Sequence, residues 1–334
     1  MKYRSKLLKK IGYILLTIIT ILGIIYTVPA VSLNNKGNAN IGQFIYSYQP
    51  GIDENDQYIN SVVQQSQIFE SNISILQQMG FNLRQDLEIR WMSCRNYSNP
   101  SIQKAPSNAF YSPNEKKITL CYELFNDIAL KYIELVGQSP EDALKSTLDA
   151  YLFIMYHELG HGLIDFFQIP ITGKEEDAVD DFAAYMLLAR SESEEDKIIN
   201  IILSAARVFY LSAQSNQVSP EYEHLLYWGE HSLGEQRFAN LLCIILGSNP
   251  DRYANILVAN PDNPEDVQNP LKIPLSRARR CVNSEYPQKM NSWTRLIIPH
   301  LITQQGDWGE TSDSGNSPNS PPPVNEVPGA WGDY

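Results

Sequence analysis

Apolar residues return at helical spacing along most of the chain and alternate in only two short stretches. Between Asp53 and Met79, Ile59, Val62, Val63, Ile68, Ile73 and Leu76 make an apolar stripe that predicts helix. Leu87-Glu88-Ile89-Arg90-Trp91 alternates as a strand does. So does Ile118-Thr119-Leu120-Cys121-Tyr122, which follows the turn signal Ser112-Pro113-Asn114. Long helical patterns then run over Ser139–Phe167, Glu175–Arg190, Asp196–Ala213 and Leu233–Leu246. A few strands followed by many helices predict an α+β fold with a small sheet and a mainly helical C-terminal part.

Residues 33–58 are rich in Asn, Gly and Gln and are expected to be a linker, with the folded domain over 59–303. The last segment, 304–334, is low in aliphatics, carries Pro321-Pro322-Pro323 and is expected to be disordered. At the other end, Ile11–Val31 has no charged residue and follows Lys2, Arg4, Lys6, Lys9 and Lys10. About twenty such residues can span a bilayer, and the cationic start should stay in the cytoplasm. Residues 1–32 are therefore expected to be a membrane anchor or, with Ala30-Val31-Ser32 as cleavage site, a signal peptide. Either exports the rest.

Composition narrows the function. Apolar residues form 43% and charged residues 19% of the 334, enough for a sizeable core and unlike collagen, coiled coil or a disordered chain. Net charge is −12; without the five N-terminal cations, 21 basic side chains face 38 acidic ones. Such a body repels phosphate backbones, which excludes nucleic acid as the main partner. Four cysteines without CxxC spacing fit disulfides in an oxidising compartment. Four cysteines allow three pairings, of which the moderate loops favour Cys94–Cys121 and Cys243–Cys281.

The candidate chemistry begins at Tyr156-His157-Glu158-Leu159-Gly160-His161, an HExxH pattern that uses two of the five histidines. On a helix, positions i and i+4 share a face, so both imidazoles can reach one ion, with Glu158 beside a water on it. A catalytic zinc needs a third protein ligand and an open position. HExxHxxGxxH is not met, because Ile164 and Phe167 stand at its last two marked positions. The next helix supplies Glu176 and Asp180, four apart. Glu176 is the candidate third ligand and Asp180 the acceptor for the outer N–H of a metal-bound histidine. Glu175 and Asp177 are competing ligand candidates.

HExxH followed by ExxxD resembles the gluzincin metallopeptidases, the clan of thermolysin and neprilysin. Asn108-Ala109-Phe110-Tyr111 looks like the NAxY segment of the neprilysin family, and His231-Ser232-Leu233-Gly234-Glu235-Gln236-Arg237 like its HSxGxxR stretch. The whole chain looks more like a little-characterised bacterial group of metallopeptidase-like proteins. The resemblance implies a zincin-like domain, one Zn²⁺ held by His157, His161 and Glu176, and a peptide or protein substrate. It also implies an edge strand that holds the peptide through Asn108 and Ala109. Glu158 is then the general base, His231 a donor to the oxyanion, and Arg237 a further substrate contact. His224 is a weaker substitute for His231. Two rival classes share the motif: an exported binding protein that keeps zinc for stability, and a zinc hydrolase of a non-peptide amide.

Overall fold

The computed structural model describes residues 41–189, 194–215, 230–269 and 271–302. The N-terminal apolar segment, Arg190, His224 and the Pro/Ser tail lie outside the described residues.

Four short strands form one sheet: β1 (Phe44–Tyr48), β2 (Leu87–Met92), β3 (Ala109–Ser112) and β4 (Lys117–Cys121), in the order β1-β2-β4-β3. β1, β2 and β4 run parallel, with Ile89 opposite Ile118, and β3 is the antiparallel edge, with Ala109 opposite Leu120. β1 corrects the linker expectation for residues 33–58. Its aromatic alternation, Phe44, Tyr46, Tyr48, is a strand signal that the surrounding Asn and Gln conceal, and Phe44 is buried.

Two helices replace the single one expected over 53–79: α1 (Glu54–Ser66) and α2 (Ile68–Met79). Asp53 caps α1 by accepting from the Asp56 amide. Gln67 breaks the run in a left-handed conformation, φ 50°. The break re-phases the stripe: Ile68 follows Val63 by five residues, about 140° around an unbroken helix, and would otherwise face away from the core.

One face of β2 carries Leu87, Ile89 and Trp91, all fully buried; the other carries Glu88 and Arg90. Trp91 stacks on Tyr151 at 4.7 Å between ring centroids and meets Phe69 of α2 edge-on at 5.0 Å. Tyr151 lies on α4 (Pro140–Phe167), the helix with the HExxH pattern, so this aromatic cluster fixes the helix beneath the sheet. Losing such an indole costs about 3–5 kcal/mol.

α3 (Tyr122–Val136) precedes α4; α5 (Glu175–Leu188), α6 (Glu195–Ser215), α7 (Gly234–Ser248) and α8 (Tyr286–Ile297) follow, with short helices between the last two. The fold is thus α+β, with a small mixed sheet, an edge strand over the HExxH helix and a mainly helical C-terminal part. Among the described residues, no helix is long and apolar enough to cross a membrane.

Both expected disulfides are formed. Cys94–Cys121 ties the exit of β2 to the end of β4, and Cys243–Cys281 ties α7 to the turn before α8.

Candidate metal centre

α4 begins at Ser139, whose hydroxyl accepts from the Asp142 amide at 3.1 Å, with Pro140 in the first turn. The helix is apolar on nearly every side because the sheet, α3, α5 and α6 all pack on it. His157 and Glu158 are nevertheless buried within it. Groups so enclosed need specific partners.

α5 supplies those of His157, and Gly160 sets how closely it approaches. A Cβ at Gly160 would lie 2.8 Å from Val179 Cγ1 and 2.9 Å from Phe182 Cδ1. The missing side chain lets the first turn of α5 lie against the two histidines.

Glu176 occupies the gap between them. Its Oε2 is 3.1 Å from His157 Nε2, and its Oε1 is 3.5 Å from His161 Nε2. One donor atom from each of the three residues lies within 4.8 Å of the others. Zinc bonds of about 2.0–2.1 Å at the tetrahedral angle separate donor atoms by about 3.3 Å, so this set fits the ion. The outer nitrogens are engaged as well: His157 Nδ1 lies 2.8 Å from Asp180 Oδ1, and His161 Nδ1 lies 2.7 Å from Glu175 Oε1. Each imidazole thus has its Nδ1 held by a carboxylate and its Nε2 aimed inward, as metal-ligating histidines require. Glu175, ranked from sequence as a competing ligand, holds the outer nitrogen of His161 instead. The signal for that was its place one residue before Glu176.

Burial alone would lower the His157 pKa. The hydrogen bonds with Asp180 and Glu176 outweigh it and hold the ring well above the ordinary histidine value. Burial would raise Asp180, but the charge and hydrogen bonds of Arg237, with His157, bring it down to about 2. Glu176 is likewise held far below the usual carboxylate range: three histidines outweigh its burial.

A cleft of about 600 Å³ opens over this cluster, lined by Asn108, Ala109, Tyr111, Glu158, His161 and His231 among others. Asn108 accepts from the Ala109 amide at 3.0 Å through its side-chain oxygen. That leaves its NH₂ for a partner in the cleft, at the head of the β3 edge that no other described strand pairs. His231 sits on the turn before α7, half-exposed, with Nε2 2.9 Å from Glu176 Oε2 and its ring stacked on that of His157 at 6.2 Å. Ser232 anchors this turn by donating to Asp177 Oδ2 at 2.9 Å, a contact that sequence reasoning missed.

Arg237 stands elsewhere than expected. It does not line the cleft. Its Nε and Nη2 each donate to Asp180 at 2.7 Å, and its guanidinium lies 3.6 Å from the centre of the Phe209 ring. Both hydrogen bonds go to Asp180, so Arg237 supports that carboxylate from behind the metal site. His300, left out of the candidate site, stacks on Phe167 at 4.2 Å at the far end of α4.

A partly buried donor set of this kind, under an edge-strand cleft, could hold a metal ion. Residues 48–297 match the family described as "Putative metallopeptidase", and the chain belongs to that family. No curated protein and no solved structure matches it.

Proposed function

We propose that the protein is an exported zinc peptidase of gluzincin type, with His157, His161 and Glu176 as the metal ligands. The observation that carries this reading is the convergence of those three donors within 4.8 Å, with both outer imidazole nitrogens held by carboxylates. Family membership supports the peptidase class, and the two disulfides support an oxidising compartment. The charge-free run Ile11–Val31 supports export.

The peptide is expected to lie along β3 as an added strand, its backbone held by the edge and by the Asn108 amide, with Ala109 leaving room. His157, His161 and Glu176 would hold a zinc ion, which would supply Lewis acidity towards a water and the scissile carbonyl. Glu158 follows His157 on α4 and lines the cleft. Its carboxylate takes a proton from the attacking water and returns it to the leaving amine. His231 donates from Nε2 to the carbonyl oxygen as negative charge develops there. Asp180, braced by Arg237, keeps the proton of His157 on Nδ1.

The test is cleavage of a peptide library by the full chain, beside Glu158→Gln and beside wild type with a zinc chelator. Cleavage by wild type alone is expected. A folded, zinc-loaded wild type that cuts no peptide would overturn the peptidase reading, and the roles of Asn108 and His231 would go with it.

A further inference from the structure

The outer wall of the cleft is the β3–β4 hairpin, and one carboxylate fastens it to the metal helix. Tyr111 of β3 donates from its hydroxyl to Asp165 Oδ2 at 2.6 Å, and the Lys116 ammonium pairs with that same oxygen. Lys116 sits in the hairpin turn with φ 53°, and its ammonium lies 5.4 Å from the centre of the Phe166 ring. The strand's centre and its turn therefore converge on one side chain.

Asp165 belongs to the same helical stripe as the two histidines. Positions 157, 161 and 165 follow each other by four, so Asp165 stands one turn beyond His161 on α4. Gly162 makes the approach close, since a Cβ there would lie 3.5 Å from Tyr111 Cε2 and 3.3 Å from Leu87 Cδ2. Tyr111 shares its face of β3 with Ala109, two residues back along the strand. A bond from Tyr111 to Asp165 thus fixes how far the edge at Ala109 stands from His161. Nothing in the proposed chemistry uses Asp165, yet it lines the cleft.

We infer that Asp165 is a positioning residue: through Tyr111 and Lys116 it sets the gap between the substrate-binding edge and the metal centre. This rests on the peptidase reading above. A strand offset of an ångström or so is enough to misplace a bound peptide.

The test compares wild type, Asp165→Asn, Tyr111→Phe and the double variant. Two readouts are taken: steady-state cleavage of a peptide found in the library, and hydrogen exchange of the 109–112 amides in the zinc-loaded chain. The expected result is KM raised about tenfold with kcat changed less than about twofold, because peptide binding is lost and the chemistry is not. Exchange at 109–112 should quicken about tenfold while the 157–161 amides stay protected, and the double variant should match the worse single one. Variants that lose thermal stability but keep wild-type KM and exchange would overturn the inference, leaving Asp165 merely structural. If Asp165→Asn does not fold, Tyr111→Phe, which removes only a hydroxyl, decides on the same two readouts. If the wild type cuts no peptide, the peptidase reading falls by itself. Exchange then still decides the clamp, and unchanged protection at 109–112 overturns it.

Discussion

Arg237 grips Asp180 through two parallel bonds of 2.7 Å, while Asp180 Oδ1 also holds His157 Nδ1 at 2.8 Å. Three helices meet in this relay: Arg237 on α7, Asp180 on α5 and His157 on α4. The fork geometry matters because a guanidinium fixes both oxygens of a carboxylate, and an ammonium fixes one. Arg237→Lys should therefore keep the charge but loosen Asp180, and with it the His157 ring. Zinc affinity, measured by competition with a chelator, should fall about tenfold, and Asp180→Asn should fall further, towards about a hundredfold. Wild-type affinity in both variants would remove the relay from metal binding.

What the sequence disclosed of this arrangement depended on how local each signal was. The i, i+4 spacing of His157 and His161, and of Glu176 and Asp180, is set by helix geometry alone, and so was legible before any fold was known. The disulfide pairs were favoured by their moderate loops but not fixed, because four cysteines alone do not choose among three pairings. β1 was not legible, because its aromatic alternation is only five residues long, is concealed by the Asn and Gln around it, and is realised by pairing with β2 over forty residues away. The hold of Arg237 on Asp180 was not legible either, because only tertiary packing brings together residues 57 apart in sequence. The role of Glu175 and the presence of Asp165 at the site were hidden for the same reason: their partners, His161 and Tyr111, are 14 and 54 residues away.

The metal-free site should show itself in the pH dependence of stability. Burial disfavours a charged His157, but its hydrogen bonds with Asp180 and Glu176 outweigh that and raise its pKa from 6.5 to about 9. A folded value above the unfolded one means stability that is complete below about pH 6.5 and is lost as pH rises through about 9. The melting temperature of the metal-free chain should fall over that window. A zinc ligand must be neutral at Nε2, so zinc expels the extra proton, and apparent affinity should rise as pH climbs towards 9. Calorimetry of metal-free and zinc-loaded chain from pH 6 to 9.5 checks both. A metal-free curve that is flat across the window would contradict the protonated, doubly paired ring.

Gly160 is the contact through which α5 reaches the histidines, and Gly160→Ala sets two effects against each other. In an exposed helix interior the change would gain about 1 kcal/mol from backbone entropy. Here the new methyl would lie 2.8 Å from Val179 Cγ1 and 2.9 Å from Val179 Cβ, and overpacking of that kind costs about 1–3 kcal/mol. Glu176 stands one turn before Val179, so any shift that relieves the clash also moves this carboxylate. Zinc affinity should drop, and Val179→Ala in the Gly160→Ala background should restore part of it by reopening the space. A single variant that binds zinc as wild type does would show that α5 can yield without moving Glu176.

Asp149 lies two turns before His157 on α4, 9% exposed, and none of the proposed chemistry uses it. Burial raises its pKa from 3.8 to about 6, and the charges of Lys145 and Lys197 offset only part of that. With the folded value above the unfolded one, the folded state prefers the protonated acid. Its contribution to stability is complete below about pH 3.8, fades as pH rises, and is lost above about 6. At neutral pH the protein therefore carries a destabilising charge in its central helix, worth up to about 3 kcal/mol at 1.36 kcal/mol per pKa unit. Asp149→Asn removes that charge at nearly constant volume. It should raise the urea midpoint at pH 7.5 and leave it nearly unchanged at pH 4, while zinc affinity stays at the wild-type level. An equal gain at both pH values would point to packing or hydrogen bonding of the amide in place of charge burial. No gain at pH 7.5 would mean that Lys145 and Lys197 already compensate the carboxylate in full.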